Sequence, residues 1–379
     1  MAGELYIGIM TGTSIDGIDT VIADLADFPK VVHHHESPIP PALRELLMKF
    51  ATERLVDIDE LVRTHFLLAE VFASSVTDAL THAEIKSDAI RAIGLHGQTI
   101  RHLPKPVSLF AELPPVGATF QLGSGAALAA LSGIDVVYDF RSADVALGGE
   151  GAPLVPMFDR AFFYSASTDR IILNIGGIAN ITYLPISGEP IAFDTGPGNM
   201  ILDALSSLYF QTPFDIDGAI ARSGKVDDEF LSSLLEHEYF LLAPPKSTGR
   251  ELFGKDLLDM FLYKIREEGF APEDAIATAT ELTARTIALA AMQCTSNEQL
   301  ELIASGGGTR NGYLMERLQS ALPKAVIKTS DELGIPSQSK EALAFAWFAK
   351  AFLDDMMIHL PSTTGARKKI PLGSLAKAG

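Results

Sequence analysis

A short apolar run that breaks into a glycine-rich polar turn recurs along this chain, and the repetition constrains the fold more than any other feature. Leu5–Met10 leads into TGTSIDG, and residues 92–95 lead into His96-Gly97-Gln98-Thr99. Further on, residues 191–193 lead into Asp194-Thr195-Gly196-Pro197-Gly198-Asn199, and residues 300–304 lead into Ser305-Gly306-Gly307-Gly308-Thr309. Runs this short, rich in β-branched residues and bounded by glycine, read as strands. Apolar residues at three- and four-residue spacing predict helices over 40–82, Met200–Phe210, 273–293, 313–321 and 340–357, with an alanine-rich helix over 125–131. Strands are expected at 5–10, 18–25, 92–95 and 134–138, and again at 170–175, 181–184, 191–193 and 300–304. Pro104, Pro106, Pro114 and Pro115 predict a loop over 103–117. Strand hairpins mixed with crossover helices indicate α/β with mixed sheets in two lobes. The expected division gives domain I residues 1–138 with 358–379, and domain II residues 139–357.

With 379 residues, 47% of them hydrophobic, the chain can bury a large core. Thirty Lys+Arg against 48 Asp+Glu leave a formal charge of −18, whose field repels polyanions, so no nucleic-acid or membrane partner is expected. The lone Cys294 fits a reducing compartment. The opening MAGELYIGIM carries no basic flank, and no apolar run approaches the roughly 18 residues that span a membrane, so a cytoplasmic location is expected. The run His33-His34-His35, beside Glu36-Ser37-Pro38, reads as an exposed loop without a metal-binding role.

The first glycine turn lacks the Gly-Lys-Ser/Thr ending of a P-loop and continues into a strand, so it is neither a P-loop nor a dinucleotide turn. Backbone N–H groups of Gly12, Thr13 and Ser14 could converge on an anion there, with Asp16 or Asp19 binding Mg²⁺. A plain hairpin turn is the competing reading. The turn Asp194–Asn199 opens a helix, whose positive end and backbone donors favour an anion, and the turn Ser305–Thr309 has the backbone freedom to lie against a flat or phosphorylated ligand. Three such loops at strand ends favour a nucleotide cleft over packing alone.

The segments GIMTGTSIDGID, GLHGQT, DFRSADVALGGEGAPLVP, LNIGGIANIT, FDTGPGNM, PPKSTGRE, ASGGGTRN, KEALAFAW and LPSTTGA occur in the order and spacing of the anhydro-N-acetylmuramic acid kinases, and the chain resembles that family over nearly its whole length. The resemblance implies an actin/Hsp70/sugar-kinase fold with an ATP cleft between two lobes. It implies ATP and Mg²⁺ as cofactors, and a reaction in which 1,6-anhydro-N-acetylmuramic acid, water and ATP give N-acetylmuramic acid 6-phosphate and ADP, in recycling of the cell wall. Gly12, Thr13, Ser14, Ile15, Asp16, Gly17, Ile18 and Asp19 would hold the nucleotide phosphates, with Asp16 and Asp19 on the metal. Gly196 and Gly198 would also face the nucleotide, and Gly306 and Gly307 would lie near the adenosine. Asp194 would be the catalytic base, and Arg141, Glu341, His96 and Asn174 would contact the sugar. The expected partners are the anhydro sugar, ATP and a second copy of the chain in a homodimer.

One carboxylate suffices for such a reaction, because the leaving oxygen is taken by the γ-phosphoryl group where an ordinary glycoside hydrolase supplies a proton from a second carboxyl. Structural roles compete at each position: a helix N-cap for Asp194, a helix-dipole partner for Glu341, an ion pair with Asp139 or Asp144 for Arg141, a turn cap for His96. Lys246 and Arg250 are expected in the cleft, without an assigned role. Thr11, Ser142, Ala143 and Glu150 depart from the residues common in the family. A levoglucosan-type kinase is the alternative enzyme, and an actin- or Hsp70-like ATPase module acting on a protein partner is the alternative of another class.

Overall fold

Tyr6, Gly8 and the isoleucines at 7 and 9 are all buried, which marks β1 (Leu5–Met10) as a strand covered on both faces. The computed structural model describes residues 3–12, 15–244, 246–297 and 299–379. β2 (Gly17–Asp24) returns antiparallel to β1, with Met10 opposite Asp19, and β3 (Lys30–Pro38) returns antiparallel to β2, with His34 opposite Val21. The histidine run is therefore a strand and not a loop, because pairing with β2 gives its backbone a ladder that a local reading of polar residues cannot foresee.

Two helices, Pro41–Thr52 and Ile58–His82, lead to β4 (Ile90–Leu95), which lies parallel to β1. The longer helix starts on Asp57, whose carboxylate accepts the backbone N–H groups of Asp59 and Glu60. β5 (Gln98–Val107) and β6 (Val116–Leu122) form a separate two-stranded ribbon, so part of the expected loop is strand. Pro104 and Pro106 are tolerated there because a two-stranded ribbon is all edge and needs fewer N–H donors. β7 (Val136–Tyr138) runs parallel to β4, and the last strand, Ser374–Ala376, closes antiparallel on β7. The order across this sheet is Ser374–Ala376, β7, β4, β1, β2, β3.

The second sheet repeats that plan. β8 (Arg170–Ile175), β9 (Ile178–Leu184) and β10 (Ile191–Pro197) form an antiparallel meander, and β11 (Glu301–Ser305) and β12 (Val326–Thr329) follow parallel to β8. Its order is β10, β9, β8, β11, β12, the same succession as β3, β2, β1, β4, β7. Two successive units with this shared order are the actin/Hsp70/sugar-kinase arrangement that the motifs implied.

The chain divides into a unit of Met1–Phe158 with Ser339–Gly379 and a unit of Asp159–Gln338. The segment around Arg141 and the helix Lys340–Leu353 thus belong with the first unit, where the sequence pattern had placed them in domain II. The physical reason is close packing. A Cβ on Gly8 would stand 1.8 Å from the carbonyl oxygen of Ala342, and one on Gly94 would stand 1.9 Å from that of Phe345. Only glycine lets this helix lie so near β1 and β4. No helix among the described residues is long and apolar enough to cross a membrane.

Candidate active site

β1, β4 and β7 run parallel, so Met10, Leu95 and Tyr138 end at one edge of the first sheet, where open α/β sheets hold their ligands. The hairpin after Met10 is fastened to the turn after Leu95. Thr11 Oγ1 donates to the carbonyl of Gly97 at 3.0 Å, and Gln98 Nε2 donates to that of Gly12 at 3.1 Å. Ile15 stands at φ +57°, rare for a β-branched residue, with its N–H bonded to Gly12 at 3.2 Å. Its side chain and that of Ile18 are buried in the core, so at these two positions only backbone can face a ligand. Gly17 opens β2, and Asp16 is exposed at the hairpin. Thr13 and Ser14 lie outside the described residues, as does the Arg250 side chain.

Asp19 is tied to the histidine run. His34 Nε2 lies 2.9 Å from Asp19 Oδ1 and 4.0 Å from Glu36 Oε1, and the three side chains offer ligand atoms within 4.8 Å of one another. The run itself offers Glu36 two residues beyond His34 on the same face of β3, and the antiparallel register of β2 and β3 adds Asp19, which no local pattern places there. On the opposite face of β3 the rings of His33 and His35 stack with that of His82.

Arg141 and His96 meet at the same edge. One Arg141 Nη donates to His96 Nε2 at 2.8 Å and the other to the carbonyl of Gly151 at 2.6 Å. Asp139 accepts the N–H of Ser142, while Asp144 takes its hydrogen bonds from His359, Thr364 and Gly151 and acts on Arg141 through its charge alone. Burial, then the charge of Arg141, lowers the His96 pKa to about 3, which keeps the ring neutral. Burial also brings Arg141 down to about 10, against the raising influence of the Glu341 carboxylate. Glu341 lies in the first turn of Lys340–Leu353, the helix packed on β1. Since Nε2 accepts from Arg141, the His96 proton resides on Nδ1. Three buried polar atoms here have no protein partner: His96 Nδ1, Arg141 Nε and Gln98 Oε1.

In the second unit β8, β10 and β11 run the same way, and their ends gather the glycines. Asn199 N–H bonds the carbonyl of Gly176 at 2.8 Å, and Gly198 N–H that of Gly177 at 2.9 Å. A Cβ on Gly198 would stand 2.3 Å from the Gly176 oxygen, and one on Gly306, at φ +86°, would stand 2.6 Å from Asn174 Oδ1. Gly307 has nothing closer than 3.9 Å, which leaves it open to a ligand. Asn174, expected at the sugar, keeps company with Gly306, expected at the adenosine. The Gly176-Gly177 turn went unassigned in the sequence although it follows an apolar strand as the other loops do.

Asp194 lies inside β10, which extends to Pro197 with its register shifted between Asp194 and Gly196. The helix Met200–Phe210 begins on Asn199, so Asp194 is not its N-cap. Its N–H bonds the carbonyl of Lys246 at 3.2 Å, its Oδ2 accepts the N–H of Thr248 at 2.9 Å, and its carbonyl accepts the Tyr239 hydroxyl at 2.8 Å. Lys246 turns its ammonium to the carbonyl of Tyr239 at 3.1 Å and over the Tyr239 ring, and burial lowers its pKa. The Tyr239 pKa is raised by burial and then by the charge of Asp194. Tyr239 lies outside the quoted segments, and Thr248 lies within PPKSTGRE without an assigned role, because no local pattern shows that either meets Asp194.

Residues 4–378 match the model of the family described as anhydro-N-acetylmuramic acid kinase. A protein of that name from Shewanella baltica strain OS155 is 43% identical over 375 residues, covering 98% of each chain. One from Salinibacter ruber is 41% identical over 383 residues, covering 98% of this chain and 96% of its own, and one from Coxiella burnetii is 41% identical over 99% of this chain and 98% of its own. By a match of this length, the chain belongs to the anhydro-N-acetylmuramic acid kinase family.

Proposed function

We propose that this protein uses ATP and water to convert 1,6-anhydro-N-acetylmuramic acid into N-acetylmuramic acid 6-phosphate and ADP, in cytoplasmic recycling of the cell wall. Family membership supplies the substrate. In the geometry, the reading is carried by the three unpartnered buried atoms around Arg141. A buried donor or acceptor without a partner costs free energy, and a polyhydroxylated ligand relieves it. His96 Nδ1–H and Arg141 Nε–H are donors for sugar oxygens, and Gln98 Oε1 and the Glu341 carboxylate are acceptors for hydroxyls.

Asp194 then takes a proton from the water that attacks C1. Thr248 fixes one carboxylate oxygen, while Lys246 and Tyr239 hold the backbone on either side, so the base is aimed in advance. As the C1–O6 bond breaks, O6 bonds to the γ-phosphorus and the bond from that phosphorus to ADP breaks. On the family resemblance, Gly12 and Ile15–Asp19 are assigned to the nucleotide phosphates, and Gly306 and Gly307 to the adenosine. The exposed Asp16 and the half-buried Asp19 offer the oxygen donors that Mg²⁺ prefers, and the ion would neutralise charge on the phosphates when bound.

Reaction in ¹⁸O-water tests the scheme. Label is expected on the C1 hydroxyl of the product and none in the transferred phosphate, because water attacks carbon and O6 attacks phosphorus. Label in the phosphate, or ATP turnover indifferent to the anhydro sugar, would sink the proposal.

A further inference from the structure

The chemistry above leaves a buried polar network unused. Asp144, in the short helix Ser142–Ala146, and His359, near the end of the chain, are fully buried. His359 Nε2–H and the Thr364 hydroxyl both donate to Asp144 Oδ1 at 2.6 Å, and Gly151 N–H donates to Oδ2 at 2.6 Å. The N–H of Ile370 donates to His359 Nδ1 at 3.2 Å, which puts the ring proton on Nε2, facing the carboxylate. Burial raises the Asp144 pKa, but the bonds from His359, Thr364 and Gly151 outweigh it and hold the group ionised. Backbone bonds lace the same two segments together, from Glu150 N–H to Thr364 at 2.7 Å and from Arg367 N–H to Leu147 at 3.2 Å. A Cβ on Gly149 would stand 2.2 Å from Asp144 Oδ2, so only glycine lets this loop close around the carboxylate.

The network ends on Arg141. Gly151 gives its N–H to Asp144 and its carbonyl to Arg141, and Arg141 passes on to His96. We propose that Asp144, His359 and Thr364 are positioning residues that lock the loop of Gly151 and thereby fix the Arg141 guanidinium for the sugar; the inference rests on the reading of Arg141 as a sugar ligand. A long side chain loses rotamer freedom when it binds, and a carbonyl held in place beforehand removes that cost from the binding step. A network that served only to hold the C-terminal segment would instead affect stability and leave sugar affinity unchanged.

Thr364→Val keeps the shape and deletes one donor to Asp144, whereas Thr364→Ser keeps the hydroxyl. In the folded Thr364→Val enzyme the KM for 1,6-anhydro-N-acetylmuramic acid should rise about tenfold with KM for ATP within about twofold, and Thr364→Ser should restore it. Without any sugar, the ¹⁵N resonances of the His96 ring should shift in Thr364→Val as Arg141 loosens from Nε2. Asp144→Asn should do more to both, and if it fails to fold Thr364→Val decides alone. Unchanged His96 resonances in folded Thr364→Val overturn the positioning role, and so does a shifted spectrum with an unchanged sugar KM. If the wild type does not turn over the sugar but the resonances shift, the positioning of Arg141 stands and the proposed activity falls.

Discussion

At the scale of single residues, Asp194 and His96 carry opposite demands, one to accept a proton and the other never to hold a second one. Asp194→Asn keeps the bond from Thr248 but removes the basicity, so kcat should fall about 10²–10⁴-fold with the melting temperature and ATP affinity unchanged, as steady-state assays and calorimetry will read. For His96, the native pKa of about 3 lies below the ordinary 6.5, so over that window the unfolded chain binds the extra proton. Stability is therefore full above about pH 6.5 and is lost as the pH falls toward 3. His96→Gln, which can still accept from Arg141, should flatten this slope. The difference between wild type and variant in urea denaturation should change by up to about 1.4 kcal/mol per pH unit across the window.

At the scale of elements, the helix Lys340–Leu353 and the hairpin after β1 depend on particular close approaches. Gly8→Ala puts a methyl group into the backbone of that helix, which cannot swing aside as a side chain would. Overpacking of this kind costs about 1–3 kcal/mol or more, and the denaturation midpoint should drop accordingly. Sugar affinity should fall as well, since Glu341 rides on the displaced helix. Asp16→Asn tests the hairpin: its carboxylate is exposed, so stability should hold while calorimetric titration shows weaker ATP binding in the presence of Mg²⁺. Wild-type affinity there would reduce the hairpin to a turn.

At the scale of the whole molecule, the first unit is built from both ends of the chain. Removing residues 359–379 takes away His359, the buried Leu360 and Leu372, and the strand against β7. Limited proteolysis should then cut the first unit faster than the second. What the sequence determined by itself was local and periodic: β1, the helix Met200–Phe210, β8 and the glycine turns are legible because the apolar spacing and the loss of side chains at turns are properties of neighbouring residues. The motifs also named Arg141, His96 and Glu341 together, without a geometry that joined them. Only the tertiary structure decided that His34 faces Asp19, that Tyr239 and Thr248 brace Asp194, that the ribbon forms despite its prolines, and that His359 reaches back to Asp144. Each of these depends on strand register or on residues far apart in the chain, and such contacts are set by how buried surfaces and hydrogen bonds are satisfied across the fold, which no local pattern encodes.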